Sequence, residues 1–138
     1  WERNFIMFNT DLVFDYLLTS ENNIHEIGRH EDQFAKYFLF LRAMQAAIDT
    51  SFILIINLDL KKPKNYLETF TILNDGNIIS KETSEKMRAF AALRSKLIFD
   101  TEVNFDNELN TIFSEFGSVF VNFSSEIKEF IKNFNLSK

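Results

Sequence analysis

Four long stretches of the chain repeat their apolar residues at helical spacing. The clearest begins around Asn104 and runs to about Phe134. There Phe105, Leu109, Ile112, Phe116, Phe120, Phe123, Ile127, Phe130 and Phe134 advance by 4, 3, 4, 4, 3, 4, 3 and 4. Their mean step is about 3.6 residues, the repeat of a straight α-helix. From Glu31 to Leu60 the same spacing links Phe34, Phe38, Leu41, Met44, Ile48, Phe52 and Ile55. Within it "FILIINL" alone could pass for a strand. No turn precedes it and a long helical pattern leads into it, so a buried helix end is expected, with Pro63 as the stop.

Residues 3–29 form a first helical region. Phe5, Phe8, Leu12, Asp15–Tyr16 and Thr19 track one ridge, and Leu17, Ile24 and Ile27 continue it less cleanly. Ser20, Asn22 and Asn23 favour a kink or break there, because their side chains compete for backbone hydrogen bonds. A short helix is expected over Asn65–Leu73. The "NDGN" that follows reads as a C-cap and turn, with Gly76 free to take positive φ. Ser80 then caps a fourth long helix ending near residue 99, and Glu82 and Glu85 suit its early turns. Ala89, Ala91 and Ala92 would let another helix approach it closely.

Three glycines and one proline in 138 residues leave too few turn residues for a strand-rich fold. The expected class is all-α: an up-and-down bundle of four main helices with one additional short helix. Residues 1–138 make a single domain, large enough to fold without a metal or disulfide. There are no cysteines, which removes thiol catalysis and zinc-thiolate sites. The 17 phenylalanines read first as a ring-packed core, and second as rings covering a partner-binding face.

A net charge of −5 argues against general nucleic-acid affinity. The charge is unevenly spread. Residues 81–96 carry Lys81, Lys86, Arg88, Arg94 and Lys96 against two glutamates, whereas residues 97–127 carry no Lys or Arg but six acids. Such a run is a solvated face or a docking surface. The longest continuous apolar run, Phe52 to Ile56, is far short of the 18 or so residues a membrane span needs. With no charged-then-apolar leader, a cytoplasmic protein is expected.

The fourth helix carries a charge on its apolar face. In "MRAFAALRSKLIFD", Met87, Phe90, Arg94, Leu97 and Ile98 share one side. An arginine there has three common uses. It snorkels, with its stem over apolar atoms; it pairs with a carboxylate across an interface; or it lines a cleft and grips phosphate with its planar fork. Asp49, an acid within a largely apolar helix, is the leading candidate to meet Arg94 or Lys96. Lys96 and Asp100, at i, i+4, compete for that pairing. His25 and His30 lie five apart and do not share a face. Pairs of Glu26 with His30 or Arg29 read as surface contacts, and with no third ligand in view no metal site is expected. No cofactor is indicated.

Taken in order, "QAAIDTSFILI", "YLETFTILNDGNIISKETSEKMRAFAALRSKLIFD" and "VNFDNELNTI" resemble the HepT-like branch of the HEPN superfamily. The resemblance covers roughly residues 34–131. It rests on an A-I-D segment in a long helix, an aromatic-rich short helix before a glycine turn, an arginine-centred helix and an acidic start to the last helix. It implies an all-helical, HEPN-like homodimer in which the arginine helices of two subunits flank a shared cleft. Active members cleave RNA without metal through an Arg–polar–spacer–His motif. HepT-type members are usually paired with a minimal nucleotidyltransferase that acts as antitoxin and can modify a tyrosine two places after the histidine.

Carried over, the motif is degenerate. Arg94 takes the arginine position and Ser95 the polar one, but the histidine position holds Phe99 and the tyrosine position Thr101. Cleavage through the 2′-hydroxyl needs a proton acceptor and donor with a pKa near neutrality, which imidazole supplies and a phenyl ring does not. The resemblance therefore implies a subunit without ribonuclease activity that binds a nucleotidyltransferase, with Arg94, Lys96, Asp49 and Asp100 as cleft residues and RNA not the favoured partner. Two alternatives stay open. One is an active ribonuclease toxin in which Lys96 or Asp100 replaces the histidine. The other is a helical scaffold dimer of unrelated role.

Overall fold

The computed structural model describes residues 10–27, 32–99 and 105–136. Five helices follow one another: α1 (Thr10–Ile27), α2 (Gln33–Asn57), α3 (Tyr66–Asp75), α4 (Lys81–Phe99) and α5 (Phe105–Leu136). The four long ones form an up-and-down bundle, with the short α3 between α2 and α4. α1 packs on α2 and α3 on α4, while α5 closes the bundle against α1, α2 and α4.

Each helix end has an identifiable chemical cause. Asp32 caps α2, accepting from the backbone N–H of Phe34 at 2.8 Å and of Ala35 at 3.4 Å. Asn65 caps α3 by accepting from Glu68 N–H at 2.9 Å, and the Glu68 carboxylate in return accepts from Lys64 N–H at 3.0 Å. This reciprocal pair works like a capping box. At the start of α4 the Ser80 hydroxyl accepts from Thr83 N–H at 3.1 Å. Glu126 of α5 completes this cap from across the bundle, accepting from Ser80 N–H and, at 2.6 Å, from the Thr83 hydroxyl.

α2 and α3 end alike. Leu60 N–H donates to Ile55 O at 2.9 Å and Asp59 N–H to Ile56 O at 3.2 Å, with Asp59 at φ 53°. In α3 the equivalents are Ile78 to Leu73 and Asn77 to Asn74, both 2.9 Å, with Asn77 at φ 59°. Both are Schellman motifs with a non-glycine residue in the left-handed position. Gly76, expected to supply positive φ, instead sits at the C-cap with φ −84°. The left-handed slot falls one residue later, on an asparagine that tolerates it.

The core is ring-rich, as the composition suggests. Phe90 of α4 meets Phe40 of α2 edge-on at 6.5 Å and stacks against Phe120 of α5 at 6.2 Å. Phe70 of α3 meets Phe123 of α5 edge-on at 5.8 Å. Such pairs contribute about 0.5–1.5 kcal/mol beyond their burial. Buried hydroxyls bridge between helices. Ser20 of α1 donates to Ala43 O of α2 at 3.1 Å, and Ser84 of α4 to Phe70 O of α3 at 2.9 Å. Ser124 of α5 donates to Glu21 of α1, whose carboxylate also meets Lys128 at 3.4 Å.

Several faces differ from the sequence expectation. α1 is continuous through Ser20–Asn23. The polar residues that suggested a break are accommodated, Ser20 by Ala43 and Asn23 by donating to Thr19 O at 2.6 Å. Its buried ridge is Val13, Leu17, Ser20 and Ile27, of which only Leu17 and Ile27 were expected there; Leu12, Tyr16, Thr19 and Ile24 are half-buried, and Phe5 and Phe8 lie outside the described residues. Phe34 and Phe38, which begin the α2 stripe, are 75% and 51% exposed. Ile98 is exposed, and of the three α4 alanines only Ala91 is buried. Close approach is instead allowed by Ala43, Ala46 and Ala47 on α2.

By length and mean hydropathy (1.6), the segment Phe34–Asn57 alone among the described residues could cross a membrane. Here it is the central helix of the bundle, with Phe40, Met44, Ile48 and Leu54 fully buried.

Candidate functional site

α4 places Arg94 between the buried turns of Phe90 and Leu97, on the side facing α2. Its terminal nitrogen donates to Gln45 Oε1 at 2.9 Å. Gln45 in turn donates through Nε2 to Asp49 Oδ1, one helical turn further along α2, also at 2.9 Å. The glutamine thus joins the guanidinium to the carboxylate, and the direct Arg94–Asp49 pair expected from the sequence is not formed. The amide is neutral yet bonds to both charged groups, accepting from one and donating to the other.

The short helix supplies the other wall. The Arg94 guanidinium carbon lies 5.5 Å from the centroid of the Tyr66 ring, within cation–π range. Tyr66 meets Phe52 of α2 edge-on at 6.3 Å. Asn65 caps the helix at that point, so capping geometry fixes where Tyr66 begins. Arg94 Nε is buried here and has no hydrogen-bond partner among the described residues. Of the three uses expected for an arginine on this face, the carboxylate pair is not formed within the chain; the guanidinium instead lies over a ring and donates to a neutral amide.

The remaining motif positions are arranged differently. Ser95 and Lys96 face solvent. Phe99, at the end of α4, is 79% exposed and so does not fill a cleft within the monomer. Nearby, Tyr37 of α2 donates to Leu97 O at 3.5 Å, tying the last turns of α4 to α2. Asp100 and Thr101 lie outside the described residues, as do His30 and the Lys96–Asp100 pairing. His25 is exposed on α1, beside a depression formed with Ile24, Phe120 and Val121. Among the described residues no group of His, Asp and Glu is arranged to hold a metal ion.

Sequence reasoning found Arg94 and Asp49 but missed Gln45 and Tyr66. The signal for Gln45 was present: it precedes Asp49 by four residues, the spacing at which glutamine and aspartate side chains meet on a helix. Chemically, the arrangement holds a guanidinium in one orientation.

A family model described as ribonuclease HepT-like matches residues 12–132. The fold is similar to that of YutE, a cytosolic protein of unknown function from Bacillus subtilis. The TM-score is 0.81 at 14% identity, over 92% of this chain and 94% of that one. It is similar also to a tri-AMPylated Shewanella oneidensis HEPN toxin in complex with an MNT antitoxin. There the TM-score is 0.80 at 19% identity, over 86% and 98% of the two chains. A further toxin–antitoxin structure, with AMP-PNP, gives 0.79 at 21% identity over the same shares. At these identities the likeness is one of fold. No curated protein matches the chain by sequence.

Proposed function

The chain belongs to the ribonuclease HepT-like family, and from that premise we propose that it is a nuclease-silent, partner-binding subunit paired with a minimal nucleotidyltransferase. The observation that carries this reading is Phe99. Five residues after Arg94, where cleaving relatives are expected to present a histidine, the chain presents a solvent-exposed phenyl ring. Without a proton-transfer group, roughly 10²–10⁴-fold of acid–base catalysis is forgone.

The surroundings of Arg94 support the same reading. A phosphate-gripping arginine works best with its fork free, whereas this one donates to Gln45 and lies on Tyr66. The family's toxin–antitoxin neighbours support a nucleotidyltransferase of the MNT kind as the partner. In this proposal the chain is a cytoplasmic homodimer. The exposed Ile98 and Phe99 at the end of α4 belong to the shared surface, together with the exposed Phe34 and Phe38 of α2.

The test is a ribonuclease assay on the purified protein with EDTA present, using Arg94→Ala to control for contamination. No cleavage above the mutant, with a gain on Phe99→His, is the expected result. Cleavage by the native protein that vanishes in Arg94→Ala would overturn the proposal and point to Lys96 or Asp100 as the substitute acid–base group. Failure to co-purify with a nucleotidyltransferase encoded alongside would remove the partner half of it.

A further inference from the structure

α2 ends in a Schellman turn that folds the chain back along the helix, and the segment leaving it is "KKPK", residues 61–64. The turn and the last two turns of α2 enclose a groove of about 380 Å³, floored by Phe52, Ile55, Ile56 and Leu60 and edged by Pro63 and Lys62. Ile56 is 74% exposed although it lies in the most apolar helix of the chain. The volume is within the range of about 300–1,000 Å³ typical of recognition pockets. Two backbone hydrogen bonds and a proline ring hold the walls, so an occupant would order little of the protein on binding.

Lys62 edges this groove, and the exposed Lys61 and Lys64 flank it in the chain, in a protein of net charge −5. Glu68 faces Lys61 at 3.9 Å, but Lys62 and Lys64 have no ion pair among the described residues. Among the described residues the acid on the rim is Asp59, held in the left-handed conformation by the turn. Phe52 on the floor also meets Tyr66, the ring beneath Arg94.

An exposed apolar floor under a basic lip is complementary to a segment that is acidic and carries an apolar anchor. We infer that this groove docks an acidic segment of a partner protein, inserting one branched apolar side chain over Ile56 and Leu60 and setting its carboxylates against Lys62 and Lys64. The inference rests on this end of α2 alone and does not depend on the partner being a nucleotidyltransferase.

The experiment uses the full chain and fluorescence anisotropy with labelled twelve-residue probes. One probe is acidic with a central Ile-Leu anchor, one has that anchor replaced by serine, and one has its acids replaced by lysine. Vesicles of phosphatidylglycerol and phosphatidylcholine form a separate arm, and sedimentation reports self-association. Thermal melts confirm that each variant is folded, as expected for substitutions at exposed positions.

The anchored acidic probe should bind, and its affinity should fall as salt rises, since charge pairs at the rim are screened. Lys62→Glu with Lys64→Glu, and separately Ile56→Asp, should each weaken it by about tenfold or more, while Asp59→Asn should strengthen it about twofold. The proposal is overturned by any of these results: equal binding of the serine or lysine probe, indifference to the variants, or vesicle binding without peptide binding. An oligomeric state that changes with the groove variants would assign the face to a second copy instead, and would overturn it equally.

Discussion

Arg94 and Gln45 meet across 2.9 Å although 49 residues separate them in the chain. The bond joins the far half of α4 to the middle of α2, and Asp49 holds its acceptor in place. Hydrogen bonds to charged groups contribute about 1.5–3 kcal/mol when desolvated and less where water competes. Gln45 is exposed, so its replacement by alanine is expected to cost about 1 kcal/mol. Arg94→Ala should cost about 1–2 kcal/mol, because it also uncovers the Tyr66 ring. In a urea-denaturation double-mutant cycle the two should couple by about 0.5–1 kcal/mol. Strict additivity would mean that the bond does not form in solution.

The two phenylalanines of α4 should behave oppositely. Phe90 is buried between Phe40 and Phe120, so Phe90→Ala removes two ring contacts and leaves a cavity, at a cost of about 3–5 kcal/mol. Phe99 is largely in solvent in the monomer, and Phe99→Ala should change monomer stability by less than about 0.5 kcal/mol. A large loss from Phe99→Ala that grows with protein concentration would show that the ring is covered by another chain.

Glu126 lies in α5 but completes the start of α4. Glu126→Ala removes the acceptor for Ser80 N–H and for the Thr83 hydroxyl. The expected cost is about 1–2 kcal/mol, in the range of a lost helix cap. Thermal denaturation measures the total. A Ser80→Ala variant in the Glu126→Ala background should then lose less than it does alone, since both act on the same turn.

Asp59 and Asn77 hold left-handed conformations that glycine adopts at no steric cost. Glycine at either position should stabilise the chain by about 0.5 kcal/mol, and alanine should destabilise it by about 1 kcal/mol. Shifts in the urea midpoint with unchanged slope would show this. If alanine is tolerated as well as glycine, the turn relaxes in solution and the groove beside Asp59 loses its fixed wall.

The long helices were legible because a 3.6-residue repeat sustained over many turns has one explanation, and Phe120, Phe123 and Ile127 are buried as that repeat requires. Caps were legible where a side chain has one local task, as at Ser80. Gly76 was not, because "NDGN" offers two residues for one left-handed slot. Backbone hydrogen bonding, which the sequence does not display, selects Asn77. Ser20 was misread for a related reason: a small polar residue in a helix signals a break only if no carbonyl waits for its hydroxyl, and Ala43 provides one. The site was half legible. Arg94 declares itself by sitting on an apolar stripe, and Asp49 lies on the correct helix. Which residue of α2 meets the arginine depends on how the helices cross, and that placed Gln45 one turn nearer.

The buried hydroxyls between helices bear on alignment rather than on amount of stability. Two apolar ridges of similar rings look nearly alike after sliding by one turn, about 5.4 Å. A core so rich in phenylalanine therefore offers several near-degenerate packings. Sliding α1 along α2 would strip the buried Ser20 hydroxyl of its carbonyl, and leaving such a group unpaired costs about 1–3 kcal/mol. Ser84 imposes the same penalty between α3 and α4, and Ser124 between α5 and α1. The rings make the bundle compact, and three oxygen atoms select one vernier setting among those the rings would accept.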